Sequence, residues 1–305
     1  MNVDRDIRLA EFFVGGQARG ALLTLNPVAN VVLHAMNLYG LLGTNAQSYE
    51  LRSDPASIAA VDPEIRRQLA GQERYFGDGT LEIFSPTMER LVSDRIYRAS
   101  PSPGLLRDLA PAPFGDVLAR AWVGHYEHYW EAQFEGLVSR FGAMVTRFDW
   151  HSALDQMEHL TAYAWSGEML VMCVEATAES AFTCGDRVCI GTLREGSDAG
   201  FVHEGLHLLL RGHWAESNRI RQLARDRLPP HPFWRTDWQT RYEQALVVGL
   251  DCHIRAIPQA RVRQYFEGCG VGDLYGATWP LVSEHVQAPR KDIEGLMYDL
   301  IASSL

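Results

Sequence analysis

Lysine is almost missing from this chain. Lys291 is the single lysine in 305 residues, and arginine supplies the rest of the basic charge. That substitution reads as base bias in the coding sequence, not as function. Arg and Lys together number 28 against 38 Asp and Glu, for a net charge of −10. So acidic a chain lacks the basic surface that nucleic acid or an anionic membrane needs, and neither is expected as a partner. Cysteine is sparse: Cys173, Cys184, Cys189, Cys252 and Cys269. An odd count with no C-x-x-C excludes a disulfide framework or a zinc ribbon. A Cys184–Cys189 bridge across a hairpin is conceivable, and reduced thiols are the expected state. No run reaches the ~20 apolar residues of a membrane span. The opening Met1-Asn2-Val3-Asp4-Arg5-Asp6-Ile7-Arg8 is charged and lacks the apolar stretch of a secretory signal. Together these absences lead us to expect a cytoplasmic protein.

What is present is an ordinary globular balance, 47% hydrophobic and 22% charged. It is enough for a sizeable core without staples. The length suits one large or two modest domains. Ala21 to Leu25 reads as a strand, and Asn26-Pro27 opens a helical stretch through Leu38. Residues 44–55 are polar and loop-like. Helical patterns follow over Pro55–Gln72 and Pro86–Arg98. Pro101, Pro103, Pro111 and Pro113 then punctuate the chain. From Phe114 to about Phe148, Trp122, Tyr126, Trp130, Phe134, Leu137 and Phe141 recur three and four apart, the spacing of one long amphipathic helix. Near Gly167 the character changes. Met169–Val174 is a strand, and short strands lie either side of the turn Cys184-Gly185-Asp186. Helices are expected again from about 198 to the end. The fold class is therefore α+β, mostly helical, with a small antiparallel sheet before one distinctive helix. A division into 1–150 and 151–305 fits the change of character.

The distinctive helix contains Phe201-Val202-His203-Glu204-Gly205-Leu206-His207-Leu208-Leu209-Leu210, an H-E-x-x-H motif in an apolar run. Residues four apart stack on one helical face, so His203 and His207 can each offer a ring nitrogen to one Zn²⁺. Glu204 stands beside them as the general base for a water. Ser197 and Asp198 suit an N-cap, and Gly212 suits a stop. Three polar groups on so apolar a helix require a reason for burial. The bland alternative is a core helix with two hydrogen-bonded histidines.

A catalytic zinc usually takes three protein ligands. Glu243 lies 36 residues after His207 near the start of a helical stretch. With that Glu the sequence resembles the gluzincin metallopeptidases, whose pattern is H-E-x-x-H, a spacer, and a Glu on a following helix. The resemblance spans about residues 167–256 and is carried by the motif. It implies Zn²⁺ held by His203, His207 and Glu243, and an edge strand before the motif helix, here Val188–Gly191. The competing ligand is His213, at metzincin spacing. Leu210 occupies the position where that family needs a glycine to turn.

A donor for the oxyanion is also needed. Tyr242, His253, Tyr265 and Tyr275 are available, and Tyr275, in the glycine-flanked segment Gly272–Gly276, is the first choice. Glu216 and His231 carry no distinguishing feature. His125, Glu127, His128 and Glu131 form a second polar cluster, which reads as the flank of an aromatic helix face and a wall for a substrate cleft. The expected activity is zinc-dependent hydrolysis of a peptide. The alternatives are hydrolysis of a small non-peptide amide, or a non-catalytic binding protein that keeps the site.

Overall fold

The structure is a computed structural model. It describes residues 1–16, 19–39, 61–69, 84–163, 167–175, 181–184, 188–193, 198–214, 217, 219–220, 222, 238–289 and 292–304. The polar stretch 44–55, Glu216 and His231 lie outside the described residues. The fold is α+β and mostly helical. The chain divides into two compact units. One holds residues 1–16, 20–148 and 168–200; the other holds 17–19, 149–167 and 201–305. The strand segment 168–200 thus groups with the N-terminal residues.

In the first unit six strands form one sheet in the order β1-β2-β3-β4-β6-β5. They are β1 (Asn2–Asp4), β2 (Leu9–Gly16), β3 (Arg19–Leu25), β4 (Gly167–Val174), β5 (Ala181–Cys184) and β6 (Val188–Thr192). The sheet is mixed, not the antiparallel sheet expected from the hairpin signals. β4 and β6 run parallel, with Leu170 opposite Val188 and Val174 opposite Thr192. β5 returns antiparallel to β6, with Thr183 opposite Cys189 and Cys184 opposite Val188, so the register does not set the two cysteines against each other.

β3 leads directly into α1 (Pro27–Leu38). Asn26 caps it by accepting from the Ala29 amide at 2.7 Å, and Pro27 takes the first turn where no donor is needed. Every residue of α1 is buried. Its valines disfavour a helix by a few tenths of a kcal/mol each. Burial of Val28, Val31 and Val32 outweighs this at roughly 1.5–3 kcal/mol apiece. Asn30 joins α1 to the end of β4. Its carboxamide donates to the Cys173 carbonyl at 3.2 Å and accepts from the Glu175 amide at 2.9 Å.

Helix α2 (Pro63–Leu69) lies within the expected stretch 55–72, of which 55–60 and 70–72 are outside the described residues; α3 (Phe84–Ser93) ends before the expected Arg98, and Ile96–Arg98 is a separate 3₁₀ turn. The proline-rich segment holds a helix of its own, α4 (Pro103–Leu109), because Ser102 caps it and Pro103 sits at its first position. The expected long helix is present in two lengths, α5 (Phe114–Ala121) and α6 (Glu127–Arg147), joined by a π-helical turn at Trp122–Tyr126.

The second unit contains α7 (Trp150–Thr161), α8 (Asp198–Trp214) from Phe201 onward, α9 (Trp238–Ile254), α10 (Gln259–Gly268), α11 (Tyr275–Gln287) and α12 (Ile293–Ser303). α9 is its central helix: Tyr242, Glu243, Ala245 to Val248, and Leu250 to Cys252 are all buried. Gly249 lets α11 approach closely, since a Cβ there would meet Val282 Cγ2 at 3.0 Å. His285 of α11 donates to the Leu160 carbonyl of α7 at 2.6 Å. Among the described residues no helix is long and apolar enough to cross a membrane.

Candidate functional site

α8 carries the H-E-x-x-H residues on the face turned to α9. His203 and His207 lie one turn apart with ring centroids separated by 5.1 Å. The helix is anchored by its apolar residues, Val202, Leu206, Leu209 and Leu210, all buried. Phe201 meets the Trp150 ring edge to face at 4.5 Å. Glu204 is half-buried beside them.

Two carboxylates and one carboxamide of α9 meet these imidazoles. Glu243 Oε1 lies 2.6 Å from His207 Nδ1. Gln244 Oε1 lies 2.8 Å from His207 Nε2, and Gln244 Nε2 lies 3.1 Å from His203 Nε2. Asp251, fully buried, is 3.9 Å from His203 Nδ1. Asp251 is itself held by both guanidinium arms of Arg255, at 2.7 and 3.0 Å. Burial pushes the His203 imidazolium down, but the nearby Asp251, Glu204 and Gln244 outweigh it and the pKa is raised. Cys269 sits where it feels both Asp251 and Glu204. Burial chiefly, and then those carboxylates, push its thiol up to about 11.

The expected residues separate as follows. His203, Glu204, His207 and Glu243 are brought together on α8 and α9, with Glu243 against the Nδ1 edge of His207. α8 continues as helix through His213 to Trp214, so the sharp turn that would return His213 to the motif face does not occur. Tyr275 is the first residue of α11, not part of a loop, and its ring is edge-on to Phe266 at 5.4 Å. Of the other oxyanion candidates, Tyr242 is buried, His253 stacks on Trp279 at 4.4 Å, and Tyr265 lies under Arg255 at 4.9 Å. The second polar cluster does not converge. His125 turns onto buried His34, His128 is exposed, and Glu131 pairs with Arg8 at 2.8 Å.

Sequence reasoning missed Gln244 and Asp251. The available signal was spacing. Gln244 and Asp251 are seven residues apart, close to two turns at about 3.6 residues per turn, which puts both on nearly one face of α9.

The donor set suits a metal in one respect. Both Nε2 atoms face one side chain, His207 the Gln244 oxygen and His203 the Gln244 nitrogen, and both Nδ1 atoms have a carboxylate behind them, the arrangement that orients metal-binding imidazoles. In another respect it falls short: among the described residues, no three His, Cys, Asp or Glu groups cluster as metal ligands. Comparison with protein-family models, with curated proteins and with solved structures finds no match to this chain.

Proposed function

We propose that this protein is a zinc-dependent hydrolase of amide bonds, with a peptide as the substrate of first choice. The observation that supports this reading most is the pairing of His203 and His207 with their Nε2 atoms both facing Gln244 and their outer nitrogens facing Glu243 and Asp251. A purely structural pair of core histidines has no need of two carboxylates behind it. His203 and His207 would hold the Zn²⁺, and α9 would supply the third donor, which the gluzincin pattern gives to Glu243.

Bound zinc supplies a Lewis acid that polarises the scissile carbonyl and acidifies water. Glu204 handles the proton. Its carboxylate accepts one from the attacking water and delivers it to the leaving nitrogen. A non-peptide amide fits the same chemistry, and the two substrates separate in a digest of a broad peptide library. Free thiols at Cys173, Cys252 and Cys269 support a cytoplasmic location.

The deciding experiment pairs metal analysis with hydrolysis. The purified protein should hold about one zinc, as a His₂-based site does. Glu204→Gln should keep that zinc while hydrolysis falls roughly 10²–10⁴-fold, the loss typical for a general acid–base group. Absence of zinc under metal-replete conditions, or a fully active Glu204→Gln, would sink the proposal.

A further inference from the structure

Two neighbouring residues on α9 touch the motif imidazoles, and they touch different nitrogens. An H-E-x-x-H helix presents its two imidazoles side by side, and the metal position is the point toward which one nitrogen of each ring is aimed. Here the Gln244 carboxamide stands against both inner nitrogens, its oxygen 2.8 Å from His207 Nε2 and its nitrogen 3.1 Å from His203 Nε2. Glu243 is displaced from it by one residue, about 100° around the helix axis. Its carboxylate meets the far edge of the His207 ring, at Nδ1, 2.6 Å away. Asp251 holds the equivalent place behind His203, 3.9 Å from Nδ1.

We infer that Gln244 is the side chain of α9 that faces the metal, and that Glu243 and Asp251 are positioning residues that hold the two imidazoles from behind. This inference rests on the zinc reading above. It replaces the Glu243 ligand that the gluzincin pattern implies with the residue next to it.

Three lines of chemistry support the assignment. A carboxylate at the outer nitrogen of a metal-binding imidazole is the usual outer partner, and it fixes the ring and raises its basicity. Glu243 and Asp251 both stand in that relation, one to each histidine. A carboxamide oxygen has two lone pairs and can donate to a metal, while its NH₂ satisfies an imidazole nitrogen when no metal is present. Before loading, Gln244 therefore hydrogen-bonds both Nε2 atoms, donating to His203 and accepting from His207, whose Nε2 proton zinc would displace. Lastly, Glu243 is nearly fully buried at 4% exposure, which suits a group whose work is to orient, whereas Gln244 is only partly buried.

A neutral oxygen donor binds zinc less tightly than a carboxylate, so the charge at residue 244 should govern affinity. Gln244→Glu should tighten zinc binding about tenfold or more, and Gln244→Ala should weaken it by a similar factor. The test is zinc titration by chelator competition, together with the visible spectrum of the Co²⁺-loaded protein, for wild type, Gln244→Ala, Gln244→Glu and Glu243→Gln. The spectrum reports the ligand set and is insensitive to a partner that only orients a ring. Expected are a changed spectrum with both Gln244 variants, and with Glu243→Gln an unchanged spectrum and zinc binding weakened about 10–100-fold, the loss typical of an outer partner. If wild type binds zinc, Glu243→Gln alters the spectrum, and the Gln244 variants match wild type in spectrum and affinity, the inference is overturned. The hydrolase reading would then stand with Glu243 facing the metal. If wild type binds neither zinc nor cobalt, both the inference and the hydrolase reading are overturned.

Discussion

Each unit of this protein contains a pair of histidines, and the two pairs are built to opposite ends. In the first unit His34, fully buried in α1, faces His125 of the π turn with Nε2 atoms 2.5 Å apart, and Tyr126 stacks on His34 at 4.6 Å. Burial, and then His125, push the His34 pKa well below the ordinary histidine value. In the second unit burial is opposed by Asp251 and Glu204, and the His203 pKa rises. The first pair points its nitrogens at each other. The second points them at a common third group and keeps carboxylates at the back. Burial is common to His34 and His203; the charges beside each ring turn the two pKa values in opposite directions.

The largest test of that contrast is metal content. His203→Ala or His207→Ala should abolish zinc binding, whereas His125→Ala should leave the zinc stoichiometry unchanged by metal analysis. Zinc lost with His125→Ala and kept with His207→Ala would reverse the two pairs. Next in size is the backing ion pair. Asp251→Ala strands Arg255, whose side chain is only 14% exposed, and should cost about 3–5 kcal/mol in urea denaturation. A loss below about 1 kcal/mol would mean that Arg255 is solvated and that the pair does not brace His203. The smallest effect is on pH dependence. His34 has a lowered folded-state pKa, so as pH falls below about 6.5 the unfolded chain gains a proton that the folded chain refuses. Stability should drop by up to about 1.4 kcal/mol per pH unit, levelling off below the folded pKa. His34→Gln should flatten the curve between pH 7 and 5 relative to wild type, and an identical slope would show that His34 titrates normally.

Much of this was legible in the sequence, for identifiable reasons. The H-E-x-x-H helix, the Asn26-Pro27 start of α1 and the 114–148 periodicity are local patterns, and local patterns survive folding. β1 and β2 were not legible because Asn2–Asp4 and Leu9–Gly16 alternate weakly and depend on pairing with each other. The parallel partnership of β4 and β6 is a tertiary fact; adjacent short strands read as a hairpin. α4 is hidden in the sequence because clustered prolines signal breaks, though Pro103 stands where a helix tolerates it. At the site, Glu243 was visible as a carboxylate at a suggestive distance. Whether Glu243 or Gln244 meets the inner imidazole nitrogens depends on the rotation of α9 against α8, and one residue of rotation decides it.

The π turn at Trp122–Tyr126 has a consequence for chain length. It takes up one residue more than an α-helical turn, the Glu127 amide bonding to the Trp122 carbonyl five residues back. Val123, 61% exposed, and Gly124 lie on its outer side, while Trp122 and Tyr126 are buried four residues apart. Deleting one of those two outer residues would turn that bond into an ordinary α-helical one and let α5 and α6 fuse, with Trp130 and Phe134 still facing inward. Deleting a residue further along α6 would instead turn everything beyond it by about 100°. The wide turn is therefore the one place among residues 114–147 where the chain can shorten without rotating its buried face.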